Sequence, residues 1–478
     1  MPYDHHAEDV PFDRLERRLR EAFDELSDDF VDPRDAFLGD DGQRWRAVRA
    51  TKPGESIACG SEQELAEIRD SCRALAATNE FAINGHENRV SFLVGAGHTY
   101  RAAVRKGREA SPELAAAVQD VLDEFVETNH WHRRQQEIVR RRDRDGEVFL
   151  RFFTQTGGQL RVRFVEPDQI AAPQNRAGDP AASFGIQTDP DDVETVLAYH
   201  VDGQAVDAAE IQHRKAHVDG NVKRGLPLYF PVRKNLRRAE RLLRNMSAVA
   251  EIQSAIALIR RHTRSPRSAA QQFAASSADL TSTTAAGRQT HYKRYAPGSI
   301  LDVHGGVEYE FPAAALDAGS YVAVLQAELR AIASRLVMPE FMLTSDASNA
   351  NYSSTMVAEG PAMRMFARLQ AELAAEDLQV MRRAVRAAAA AGRLPEAAQV
   401  DIEIQVGPPA LAVRDPREEA EALRIEHEQG ILSPQTWSQR RGLDYGQEQR
   451  NIADHKQKNG LKNVLRAPAE ERIVTPAE

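Results

Sequence analysis

Histidines, cysteines and clustered carboxylates are where this chain would do chemistry, and their spacing decides what chemistry is available. Cys59 and Cys72 are the only cysteines; with no CxxC pair they offer neither a disulfide framework nor a zinc ribbon, and a reducing compartment is expected. His130 and His132 stand two residues apart, so on a helix they point to different sides and cannot make the usual metal-holding pair. Asp189, Asp191 and Asp192 crowd one turn instead of converging from separate elements, which gives a two-metal nuclease centre no support. Gly95-Ala96-Gly97 opens like a dinucleotide fingerprint, but Tyr100 stands in the place of the third glycine and the βαβ context is absent. No GxxxxGK[ST] occurs, so an ATPase of the P-loop type is not expected. The reading is a chain without catalytic residues, cofactor or metal.

The informative segment is defined by what it lacks. From Leu336 to Met363 there is no lysine or arginine, although these two types make up 62 of the 478 residues. An amphipathic helix stops there at Pro339, a polar stretch with Ser345, Asp346, Ser348, Asn349 and Asn351 follows, and a helix restarts at Tyr352-Ser353-Ser354. Each phosphate neutralised by a basic side chain adds salt-sensitive binding. A cation-free loop therefore suits a surface that touches nucleic acid without holding it.

The rest of the composition is compatible with that. The net charge is −9 and 28% of residues are charged, whereas a protein that grips duplex DNA is normally basic. No apolar run approaches 18 residues and no signal-peptide pattern opens the chain, so neither a membrane span nor secretion is expected. At this length the chain should divide into two or more structural regions. Two segments are locally basic: His130 to Arg144, interrupted by Glu137 and Asp143, and the helix after Pro231 with Arg233, Lys234, Arg237, Arg238, Arg241 and Arg244. The first is expected to serve structure or subunit contacts. The second reads as a solvated face, or as one that pairs with acids of a neighbouring subunit.

The elements that must position these residues read as an α+β chain. Residues 1–58, charged and broken by prolines, form a partly ordered arm. A capping box at Ser61 and Glu64 starts a helix through Leu65, Ile68, Cys72 and Leu75, and Ser111-Pro112-Glu113 starts another through Val118, Val121, Leu122 and Phe125. Between them, Val90 to Gly97 is apolar and β-prone. Val148, Leu150 and Phe152 alternate along one strand and Leu160, Val162 and Phe164 along its hairpin partner, with further strands near 195–201 and 213–218. Leu243, Met246, Val249, Ile252, Ile256 and Ile259 make one helical stripe over 231–261. Residues 262–290 lose periodicity, and Pro297-Gly298 and His304-Gly305-Gly306 punctuate two strands, 300–303 and 307–311. Val322, Leu325, Leu329, Ile332 and Leu336 make a second stripe. A long helix runs from Tyr352 to about Gly392, a strand covers 400–406, helices start at Pro416 and Pro434, and a tail follows Lys458.

The order of these motifs resembles the lambda-like class of tailed-bacteriophage portal proteins over roughly residues 60–458. Asp145-Gly146-Glu147 and Glu166-Pro167-Asp168 stand where that class has its "DGE" turn and "EPD" sequence, and Arg224-Gly225-Leu226-Pro227 where it has "RGxP". Asn351-Tyr352-Ser353-Ser354 matches its "NYSS" helix restart, and Gly430, Ser433, Gly442, Leu443, Asp444 and Glu448 its C-terminal pattern. Two departures stand out: Val337 replaces the glycine of "GVP", and "PGQ" is missing before RGxP.

The resemblance implies a portal fold: an α/β wing (59–230, rejoined by a strand and linker at 393–412), stem helices at 231–261 and 314–337, and a small β-containing clip at 262–313. It further implies a tunnel loop at 338–351, a channel helix at 352–392 and a helical crown at 413–458. Ser345, Asp346, Ser348, Asn349 and Asn351 would line the tunnel. Arg237, Arg241, Leu325, Leu329 and Ile332 would belong to the stem, and Pro297, Gly298, His304, Gly305 and Gly306 to the clip. The implied assembly is a dodecameric ring at one capsid vertex of the virion, put together in the host cytoplasm. Double-stranded DNA would pass through it, and terminase large subunit, head-tail adaptor, major capsid and scaffolding proteins would be its partners. Two alternatives stay open: another ring-forming head-tail connector component, and a metal-dependent nucleic-acid-processing enzyme.

Overall fold

The computed structural model describes residues 54–56, 58–176, 178–262, 280–283, 289–292, 299–304, 318–346, 348, 352–411, 416–440, 443 and 445–466. The arm assigned to 1–58 lies almost wholly outside them. Helix α1 (Glu62–Thr78) is capped by Ser61, whose hydroxyl accepts from the Glu64 amide at 3.2 Å, while the Glu64 carboxylate reaches back to the Gly60 amide at 2.8 Å. Asn79 then serves two helices: its amide N–H closes α1, and its side-chain oxygen accepts from Phe81 and Ala82 to open α2 (Glu80–Leu93). The segment expected to be extended, 90–97, thus supplies the last turn of α2. Val90 and Leu93 fall at helical spacing with the buried Ala82 and His86, so their apolar character reports burial rather than strand.

Strand β1 (Thr99–Val104), helices α3 (Pro112–Asn129) and α4 (Trp131–Asp145), and the hairpin β2 (Glu147–Thr154) and β3 (Leu160–Val165) follow. The predicted hairpin is observed, in a register that puts Leu150 opposite Phe164 and Phe152 opposite Val162. Strands β4 (Ile186–Thr188), β5 (Val196–Val201) and β6 (Gln204–Asp207) form an antiparallel sheet, and β7 (Ile211–Lys215) joins β2 on the edge away from β3. Val148, Leu150 and Phe152 face the helices, whereas Phe149 packs on the other side with Ile186 and Tyr199. Both faces of β2 are buried, which is why its sequence is nearly continuous in apolar residues.

Helix α5 (Arg233–Ala255) is shorter than its stripe predicts. Ile256 and Ile259 keep the helical spacing, yet residues Ile256–His262 form strand β8, paired in parallel with β11 (Ser299–His304). Two β-branched residues within the run Ile256-Ala257-Leu258-Ile259 favour an extended, paired backbone, and spacing alone does not discriminate. Strands β9 (Leu280–Thr283) and β10 (Gln289–Tyr292) pair within the stretch expected to be irregular. The strand expected at 307–311 lies outside the described residues.

The chain continues through α6 (Ala318–Leu336), the short α7 (Glu340–Thr344) and the 39-residue α8 (Tyr352–Ala390). Val400, expected at the head of a strand, lies in α9 (Ala397–Asp401); β12 (Ile402–Gly407) follows and pairs antiparallel with β1. Helices α10 (Pro416–Glu428), α11 (Pro434–Arg440) and α12 (Tyr445–Arg466) complete the described chain, so the helix runs eight residues past Lys458, where a tail was expected. One core lies among α3, α4, β2, β3, α8 and β12, and a second among α1, α2, α5, α6 and α7. The third, smaller core lies between the two three-stranded sheets.

Candidate channel segment

The cation-free segment is anchored at its base and exposed at its tip. Helix α6 ends in a Schellman arrangement: the Met338 amide donates to the Ala333 carbonyl at 3.1 Å, the Val337 amide to that of Ser334 at 3.2 Å, and Val337 takes φ +53°. Residues 340–344, expected within an open loop, instead form α7. Leu343 is buried, and the Asn84 side-chain amide donates to the Leu343 carbonyl at 2.6 Å, with Asn88 on the Met342 carbonyl at 2.8 Å. Gly85 admits the close approach, since a Cβ there would stand 2.7 Å from Leu336 Cδ1. Arg330 holds Glu340 from the side at 2.7 Å.

Beyond this clamp the chain emerges. Ser345, Asp346 and Ser348 are exposed, and Ser345 takes φ +57°. Asp346 closes the turn by accepting from the Ser348 amide at 2.9 Å, which holds its carboxyl below the usual range and keeps the tip anionic. Asn349 and Asn351 lie outside the described residues.

Of the helix residues singled out, Leu329 and Ile332 are buried against Leu236 and Ala239 of α5, and Leu325 is half-buried beside them. Arg237 donates to the Ser71 hydroxyl at 3.0 Å, so this cation serves the body of its own chain. Arg241 is half-buried and likewise engaged. On α6, Val322 and Val324 are 41% and 54% exposed. His304 ends β11, whereas Pro297, Gly298, Gly305 and Gly306 lie outside the described residues.

A set of buried charges ties the surrounding elements and the long helix together. Glu147 is fully buried and meets Arg69, Arg224 at 2.7 Å, His213 at 2.9 Å and the Gly225 amide at 3.0 Å. Burial pushes its carboxyl up, but Arg224, Arg69 and the His213 hydrogen bond outweigh burial and hold it well below the usual range. Arg224 spends its remaining donors on the carbonyls of Pro167, Ile170 and Phe184. Arg73 joins Asp145 at 2.7 Å to Asp168 at 2.6 Å. The three motifs Asp145–Glu147, Glu166–Asp168 and Arg224–Pro227 are therefore one polar structure, buried at Glu147 and Arg224 and exposed at Glu166 and Asp168, with the Gly225 backbone so close to the Gly146 carbonyl that a Cβ would overlap it.

The long helix is tied in the same manner. Asp377, fully buried on α8, accepts from Tyr100 at 2.8 Å, Gln135 at 2.7 Å and Arg214 at 2.9 Å. Arg142 pairs with Glu372 at 2.7 Å, and Arg89 grips Asp143 through two hydrogen bonds of 2.8 and 3.1 Å. Much of the basic run on α4 is thus paired within the chain: Arg140 pairs with Glu87, and Arg141 with Glu137 and Glu166, while Arg133 is exposed. Asp377 was detectable in the sequence as an acid within the apolar stripe of Leu373, Val380 and Met381. Asn84 and Asn88 carried no such signal.

The other candidates are local. His130 is the left-handed residue between α3 and α4, and His132 contacts Gln135. Asp189 and Asp192 accept amides of their own turn. Gly97, at φ +127°, packs against His132 and does not face an open anion site. Among the described residues no three His, Cys, Asp or Glu side chains cluster as a metal site, and no helix is long and apolar enough to cross a membrane.

A family model described as phage portal protein, lambda family, matches residues 42–370. Among solved structures, the neck of an empty gene transfer agent particle is similar at 14% identity, covering 78% of this chain and 94% of that one, with a TM-score of 0.44. A chain of the virion of a native gene transfer agent particle is 13% identical, covering 77% and 91%, with a TM-score of 0.40. An HK97-family phage portal protein from Corynebacterium diphtheriae is 12% identical, covering 73% and 97%, with a TM-score of 0.30. No curated protein matches the sequence significantly.

Proposed function

The chain belongs to the lambda family of phage portal proteins, a family of structural components and not of enzymes, and from that premise we propose that it closes into a ring at one capsid vertex through which double-stranded DNA is packaged and ejected. In this reading the regions carry the family's roles. Residues 59–230 are the wing, 231–261 and 314–337 the stem, 262–313 the clip that receives terminase and later the adaptor, 352–392 the channel helix and 413–458 the crown. Capsid and scaffolding proteins surround the ring during assembly in the host cytoplasm. The narrowest point is the tunnel loop of 338–351, at its exposed residues Ser345, Asp346 and Ser348.

The observation that carries the proposal is the contrast within one segment. Its base is clamped by Asn84, Asn88 and buried Leu343, whereas its tip presents Ser345, Asp346 and Ser348 to solvent without a cation from Leu336 to Met363. A rigid mount with an uncharged or anionic tip repels phosphate and so limits friction on a moving duplex. Cyclic symmetry repeats that tip around one axis.

The test is Asp346→Arg. Native mass spectrometry should find the same closed ring as for the unaltered chain, while packaged DNA per particle falls at least severalfold. Normal packaging with intact rings would show that the tip does not face the duplex. A monomer or dimer under all conditions, for the unaltered chain, would remove the ring itself.

A further inference from the structure

Among the described residues the buried arginines are matched: Arg69, Arg89, Arg142, Arg214 and Arg224 each meet a carboxylate. One cleft gathers four arginines of another kind, Arg105 and Arg383 half-buried and Arg382 and Arg386 exposed. Where the C-terminal half of α8 meets α9 and β12 lies an opening of about 580 Å³ whose wall carries Arg105, Arg382, Arg383 and Arg386. Glu403 shares the wall, yet among the described residues none of the four arginines has a carboxylate within 4 Å.

Arg383 is the fixed member of the cluster. Arg383 lies over the Phe152 ring at 4.5 Å and donates to the Ala209 carbonyl, and burial together with the charge of Arg386 depresses its pKa. Arg382 and Arg386 stand one helical turn apart on α8, a spacing at which like charges destabilise a helix. A cleft of one sign concentrates ligands of the other. Arg382 is thirty residues beyond Tyr352 along α8, about 45 Å at 1.5 Å per residue. The ligand is therefore not whatever passes Asp346.

The sequence contains a segment of complementary composition. From Glu21 to Asp41 nine residues are Asp or Glu and one, Arg34, is basic. The described chain begins at Gly54, whose carbonyl accepts from the Lys223 amide at 3.0 Å. The Lys223 ammonium in turn reaches the Ile186 carbonyl at the head of β4. Strand β6 of the same sheet leads to Ala209, the carbonyl held by Arg383. Entry point and cleft thus flank one three-stranded sheet, about 10 Å across at 4.8 Å per strand step. The twelve residues from 42 to 53 span up to about 40 Å, and such a tether gives an effective concentration in the millimolar range.

We propose that the acidic segment 21–41 docks in the cleft of Arg105, Arg382, Arg383 and Arg386, carboxylate to guanidinium. The contact holds whether or not the chain forms a ring.

The test uses the full chain carrying Arg382→Lys and Arg386→Lys, which keep the charge and add amines that a carbodiimide couples to carboxylates in direct contact. Cross-linked peptides joining 382–386 to 21–41 are expected; coupling only to Glu403, or to carboxylates elsewhere, overturns the proposal. In the full chain with Arg382→Glu and Arg386→Glu, cleavage by a glutamate-specific protease at Glu21 and Glu25 should accelerate roughly tenfold, since a released segment is open to the protease. Unchanged cleavage with an unchanged circular dichroism spectrum overturns it. So does a short DNA duplex that binds the unaltered chain, loses binding on charge reversal, and leaves no cross-link to 21–41, because the cleft would then be a nucleic-acid site.

Discussion

Arg224 and Glu147 meet at 2.7 Å with side chains 4% and 0% exposed, and around that pair three motifs distant in sequence come together. Removing one partner leaves a buried charge without compensation, which costs about 3–5 kcal/mol. Arg224→Met should therefore destabilise the protein by that order in urea unfolding at one fixed concentration. Arg424→Ala, which removes an exposed pair with Glu428, should cost under about 1 kcal/mol. Similar losses for both would mean that the buried site is hydrated.

Val337 occupies the left-handed C-terminal position of α6 at φ +53°, where a β-branched residue is strained and where the resembling motif has glycine. Val337→Gly should raise stability by about 1 kcal/mol, the relief of strain exceeding the added freedom of the unfolded chain. A higher melting temperature checks this. A lower one would show that the half-exposed side chain contributes more by packing than it costs in the backbone.

Asn84 and Asn88 are the clamp on the base of the candidate channel segment. Asn84→Ala with Asn88→Ala should cost about 1–3 kcal/mol locally, because the Met342 and Leu343 carbonyls lose their donors. Hydrogen exchange should then quicken at 341–346 and stay unchanged in β2 and β7. Uniformly faster exchange would mean that the clamp supports the whole fold.

Burial depresses the pKa values of His86, His98 and His213, and the charge of Arg214 adds to this at His98. For such groups stability is complete above the unfolded value near 6.5 and falls as pH drops below it, because the unfolded chain takes up protons that the folded chain refuses. Each contributes a loss of up to about 1.4 kcal/mol at pH 5.5. Glu147 acts in a lower window, its stabilisation being lost only as pH falls below the unfolded carboxylate value of about 4.3. Urea midpoints should therefore decline from pH 7 to pH 5.5, and His98→Gln should flatten the slope. A flat profile across that range would contradict the buried neutral state of these rings.

Caps, hairpin and most helices were legible because their signals are local. Ser61, Ser111, Ser433 and the alternation of β2 and β3 each act within a few residues, and each is found where the sequence puts it. Two of the misreadings share one cause. Residues 90–93 and 256–259 are largely apolar runs that a helix or a strand can both bury, and only the partner decides: α2 packs its run into the core, whereas β8 pairs with β11, about forty residues on.

The sequence by itself determined the family, through the order of DGE, EPD, RGxP and NYSS, and the absence of cations between Leu336 and Met363. Tertiary structure alone decided what those motifs do. Glu147, Arg224 and the Pro167 carbonyl meet only when β2, the Pro167 turn and the segment after β7 fold together, and Asn84 reaches Leu343 across 259 positions of chain. Burial turns charges that would be neutral decoration in water into paired groups on which the fold depends, and burial is a property of the assembled elements, not of any one of them.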